Sequence, residues 1–110
     1  MINRSVKVGL VGIILINMMT YGFGLAAGPE IEKGKKLFDE KKCSLCHAIG
    51  GKGGKKGPDL SDVGNKRDAD WLMKFLQDPK GTIPGAKMMP VKATQEELSA
   101  LIDYLLSLKK

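Results

Sequence analysis

The apolar residues of this chain fall into one nearly continuous run and three periodic stripes. Val8 to Met19 is almost wholly apolar. Further on, Ile31, Gly34, Leu37 and Phe38 recur at the spacing of one helix face, as far as about Glu40. Trp71, Leu72, Phe75 and Leu76 make a second, compact face. Leu98, Leu101, Ile102, Leu105 and Leu106 make a wider third. No stretch alternates apolar and polar residues over a useful length, so the expected fold class is all-α.

Start and stop signals agree with the stripes. Pro29 suits a first helical position, and Glu30 and Glu32 stand near the positive end of that helix dipole. Gly34 is costly inside a helix, so its presence predicts a second helix crossing closely there. Asp68 reads as the cap of the middle helix, which ends at Asp78 ahead of Pro79. Thr94 and Glu97 have the spacing of a capping box for the last helix, whose negative end suits Lys109 and Lys110.

Two stretches carry no periodicity. Gly50 to Gly57 is Gly-Gly-Lys-Gly-Gly-Lys-Lys-Gly and is expected to be a flexible basic loop. It superficially resembles a phosphate-binding loop, but no Ser or Thr follows the lysine at the required place and no strand is expected before it, so a basic loop is the favoured reading. Lys80 to Ala93 contains Pro84 and Pro90 and holds Met88 and Met89; a loop of that length in a small domain is usually functional or disordered.

The apolar run at the start follows Arg4 and Lys7 and ends in the small residues Gly22 to Ala27, the layout of an export signal. Gly24 and Ala26 satisfy the small-residue rule for cleavage after Ala26, making residues 1–26 a signal peptide and 27–110 the domain. An uncleaved membrane anchor is the other reading, since no charge interrupts Val8 to Gly28 and roughly 20 residues suffice to cross a bilayer. Both readings export the domain to a periplasmic or equivalent compartment, with membrane contact only if the segment is retained. The 110 residues, with a formal charge of +6, then leave a short, lysine-rich domain that needs a staple to be stable. Its charge suits an acidic protein partner better than nucleic acid.

The candidate chemistry is Cys43-Ser44-Leu45-Cys46-His47, the attachment pattern for a c-type haem. Two thiols three positions apart lie on one side of a helical turn and each can add across one vinyl group of a single porphyrin. The histidine that follows is carried under the ring as the proximal iron ligand. The motif uses both cysteines of the chain, so neither is available for another disulfide. A proximal histidine needs an acceptor for its second ring nitrogen, and a carbonyl at or near Pro58 is the candidate. Trp71 and Arg67 are candidates for hydrogen bonds to a haem propionate, with core packing and solvation as their ordinary alternatives.

Taken together, the residues resemble a small class I cytochrome c over nearly all of the mature region. The match rests on Gly34 and Phe38, the Cys43 to His47 motif, Gly57-Pro58-Asp59-Leu60, Pro84-Gly85-Ala86-Lys87-Met88, and Leu101-Ile102-Asp103-Tyr104-Leu105. The resemblance implies three main helices around one covalently attached haem c, with the terminal helices crossing near Gly34, Phe38 and Tyr104. It also implies a distal methionine opposite His47. The family's Pro-Gly-x-Lys-Met pattern lands on Met88, whereas a ligand placed directly before a proline would be Met89. Consecutive residues of an extended loop point to opposite sides, so only one can face the iron. Met88, which also stands at the family's usual distance before the capping residue Thr94, is the expected ligand and Met89 the alternative.

A haem with both axial positions filled by the protein has no site for substrate and is left with one-electron exchange. The expected function is a non-enzymatic electron carrier, meeting acidic redox partners through a haem edge ringed by Lys52, Lys55, Lys56, Lys87 and Lys92. An open or displaceable distal site would instead make a gas- or peroxide-binding sensor or enzyme subunit. A structural zinc site wants four ligands, and the chain has two cysteines and one histidine. A redox dithiol lacks the βαβ pattern that would support it.

Overall fold

A computed structural model describes residues 28–110. The expected signal or anchor at 1–26 lies outside the described residues. Helix α1 spans Pro29–Glu40 and is followed by a 3-10 turn at Cys43–Leu45. Two-residue strands β1 (Ala48–Ile49) and β2 (Lys52–Gly53) come next, then α2 (Val63–Lys66), α3 (Ala69–Gln77), α4 (Pro79–Thr82) and α5 (Gln95–Leu106). Among the described residues no helix is long and apolar enough to cross a membrane.

The three long helices form where the stripes predict them. The Asp68 side chain accepts from the Trp71 N–H at 2.9 Å and starts α3. At α5 the capping box is complete: Glu97 N–H donates to Thr94 Oγ1 at 3.1 Å, and Thr94 N–H donates to Glu97 Oε1 at 3.0 Å. Helix α5 is the element on which α1, α2 and α3 pack. Its Leu98, Leu101, Ile102 and Leu105 join Phe38 of α1, Val63 of α2, and Leu72 and Leu76 of α3 in one core. Helix α1 crosses α5 at Gly34, where a Cβ would collide with the Ala100 carbonyl oxygen and stand 2.6 Å from Tyr104 Cβ. Phe38 and Tyr104 meet edge to face at the same crossing, their centroids 5.8 Å apart.

Three local features depart from the sequence expectation. The basic loop is a small antiparallel hairpin, pairing Ala48 with Gly53 and Ile49 with Lys52. Its two turn residues, Gly50 and Gly51, have φ of 60° and 82°, the conformation that matches the twist of a two-residue hairpin. The stretch after Pro79 begins with the single turn α4, because Asp78 both ends α3 and accepts from the Gly81 N–H at 3.1 Å. The short α2 also forms, and the C-terminal tail folds back on it. Gly64 N–H donates to the Leu108 carbonyl at 2.9 Å, and Lys110 N–H donates to Asp62 Oδ1 at 2.8 Å.

Candidate haem site

Helix α1 ends in a backbone reversal that presents the motif. Lys41 N–H donates to the Leu37 carbonyl, and Lys42 adopts a left-handed conformation, φ 61°. For a residue with a side chain this costs roughly 1–2 kcal/mol. It turns the chain directly into the 3-10 turn that carries Cys43. His47 N–H then donates to the Cys43 carbonyl at 3.0 Å, folding the histidine back under the turn. Both thiols are free; Cys43 is half-buried and Cys46 exposed. Burial pushes the Cys43 thiol pKa up.

The ring of His47 is held from its far side. Nδ1 lies 2.9 Å from the Pro58 carbonyl oxygen. A carbonyl can only accept, so Nδ1 is the donor, and in the neutral ring Nε2 is the nitrogen left with a lone pair for a metal. Gly57 makes room for this arrangement, since a Cβ there would stand 2.5 Å from His47 Cε1 and 2.7 Å from Nδ1. The segment is tied to the motif by further bonds, Gly57 N–H to the Cys46 carbonyl at 2.7 Å and Leu60 N–H to the Ala48 carbonyl at 2.9 Å. Ser61, buried, accepts from Gly50 N–H at 2.8 Å and donates its own N–H to Asp59 Oδ1 at 2.8 Å.

Cys43, Cys46 and His47 line a cleft of about 290 Å³ together with Met88, Met89, Pro90 and Val91. Lys41, Lys42 and Lys92 complete its rim. Met88 is half-buried and packs against the core, whereas Met89 is 72% exposed. Among the described residues no three His, Cys, Asp or Glu side chains gather to hold a metal ion. The donor set suits a covalently held haem: two thiols on one turn, an oriented imidazole, and a thioether lining the same cleft.

The structure does not gather every candidate here. Arg67 and Trp71 do not line the cleft; the Arg67 guanidinium lies 4.0 Å from the Trp71 ring centroid, and Trp71 stacks on Phe75 with centroids 5.0 Å apart. Of the five lysines expected around the haem edge, Lys92 lines the cleft; Lys52, Lys55, Lys56 and Lys87 are exposed elsewhere. Lys41 and Lys42 are the rim lysines that sequence reasoning did not assign. Their position directly before the first cysteine was the available signal.

Residues 31–109 match the cytochrome c family. The chain belongs to the cytochrome c family. It is 34% identical to cytochrome c-551 of Stutzerimonas stutzeri over 103 residues, covering 87% of this chain and 97% of that protein. Cytochrome c-551 of Ectopseudomonas mendocina is also 34% identical, over 69% of this chain and 98% of its own length. Cytochrome c oxidase subunit 2 of Alkalihalophilus pseudofirmus is 32% identical over 70% of this chain, which spans only 25% of that subunit. As a member of this family the cytochrome is an electron-transport protein that carries one covalently attached haem c, on an all-α class I fold.

Proposed function

We propose that this cytochrome is a one-electron carrier whose haem iron is held between His47 and Met88, with Cys43 and Cys46 as the covalent anchors. One observation carries the reading: Met88 lines the same cleft as an imidazole whose Nε2 is free. Haem c, when bound, supplies exchange of one electron between Fe(II) and Fe(III), and a thioether ligand favours the reduced state relative to a second histidine. The protein's own part is to orient and to shield. The Pro58 carbonyl holds the His47 tautomer and ring plane, which keeps the geometry alike in both oxidation states. Packing of Met88 on the core supports it over Met89, whose exposed side chain is available to solvent or a partner.

The lysines on the cleft rim support docking to an acidic partner in an exported compartment, the destination that the N-terminal signal pattern implies. A cytochrome c oxidase is one acceptor to test. The ligand assignment is checked by visible spectra of oxidised wild type, Met88→Ala and Met89→Ala. Wild type is expected to be low-spin and six-coordinate, with a thioether-to-iron band that vanishes in Met88→Ala and survives in Met89→Ala. The reverse pattern moves the ligand to Met89. Ready binding of carbon monoxide by the reduced wild type replaces the carrier with an open-site protein.

A further inference from the structure

The strap that carries Met88 is lightly fastened. Between the local turn that bonds Ala86 N–H to Ile83 and the cap at Thr94, two described hydrogen bonds tie it to other elements. Val91 N–H donates to the Leu76 carbonyl at the end of α3, at 2.8 Å. The second comes from a side chain: Lys41 Nζ donates to the Lys92 carbonyl at 2.7 Å. Lys41 stands two residues before Cys43, and Lys92 four residues after Met88. Both line the cleft, so this bond joins the wall that carries the thiols to the wall that carries the thioether.

We infer that Lys41 is a positioning residue, a latch that holds the Met88 strap closed over the haem face opposite His47. The inference rests on the His47–Met88 reading above. Lys41 and Lys92 are exposed, so water competes for this charged donor, but a strap fastened at two points next to its functional residue opens more readily when one is removed. Opening exposes the distal position without unfolding the α1–α5 core, because neither tie belongs to that crossing. Lys41 thus sets how often the iron loses its sixth ligand, and with it how well foreign ligands are excluded.

The test uses the oxidised holoprotein with imidazole as the competing ligand. Lys41→Met keeps the length of the stem and removes the donor; it is expected to bind imidazole roughly five- to tenfold more tightly, the effect of about one charge-assisted hydrogen bond shared with water. Lys41→Arg restores a donor and should return the affinity to near wild type. Lys36→Met removes the same charge from an exposed site on α1 away from the cleft and should change nothing. Amide exchange gives a readout independent of the haem ligand: Val91 should exchange faster in Lys41→Met while Leu101 and Leu105 in α5 keep their rates. Equal imidazole affinity in wild type and Lys41→Met overturns the latch, as does equal acceleration of the α5 amides, which would mean general destabilisation. If Met88→Ala retains the thioether-to-iron band, the underlying ligand assignment fails and the latch with it. A normal Met88 result beside a silent Lys41→Met defeats the latch alone.

Discussion

At Gly57 the absence of a side chain decides how His47 sits. A Cβ at this position would press on the imidazole edge at 2.5 Å, and the backbone cannot easily retreat because its N–H is bonded to the Cys46 carbonyl. Gly57→Ala is therefore expected to tilt the ring away from the Pro58 carbonyl and to destabilise the holoprotein by about 1–3 kcal/mol, the usual range for overpacking. Denaturant unfolding and the oxidised spectrum check this together; wild-type values in both would remove Gly57 from the site. The motif itself was legible at this scale, because Cys43, Cys46 and His47 are neighbours in the chain and their spacing is set by one turn. The Gly57 contact was not, since it joins residues ten apart through a loop with no periodic signal.

At the scale of elements, the caps were readable because they are local. Glu97 illustrates what its cap does. Hydrogen bonding from the Thr94 N–H holds its carboxyl below the ordinary range. The folded state thus favours the charged form, so the contribution is complete above the unfolded value of about 4.3 and is lost as pH falls through the lower folded value. Asp59, bonded by Ser61, and Asp62, bonded by the Lys110 N–H, are lowered in the same direction and fade in the same acid window. Glu97→Gln keeps an acceptor that does not titrate, and is expected to flatten the fall in unfolding free energy between roughly pH 5 and pH 2. Denaturant midpoints across that range measure the slope, and a slope equal to wild type would discount the cap. The hairpin, α2 and α4 escaped the sequence because two to four residues are too few to show a period. The hairpin depends on its glycine turn, α4 on Asp78 capping in both directions, and α2 is tied to the C-terminal tail through Gly64 and Asp62.

Over the whole molecule, α5 organises the core and the lysines organise the surface. The terminal helices meet only because Gly34 lets α1 approach the Ala100 carbonyl, and that crossing leaves the motif and the methionine strap on facing walls of one cleft. With Lys41, Lys42 and Lys92 on the rim, electron transfer to an acidic redox protein should slow several-fold as salt rises from about 0.01 M to 0.15 M, where the screening length falls from about 30 Å to 8 Å. Stopped-flow rates at stepped ionic strength test this; insensitivity to salt would return these lysines to ordinary solvated surface. By itself the sequence determined the helices, their caps and the haem-attachment motif, because each depends on residues within one or two turns of one another. Met88 and the Pro58 carbonyl were legible as candidates, but only the tertiary structure decided that Met88 packs inward, that the carbonyl stands 2.9 Å from His47 Nδ1, and which lysines line the cleft. Those depend on contacts between segments far apart in the chain, where packing against α5 and hydrogen bonds across loops set the positions and local spacing does not.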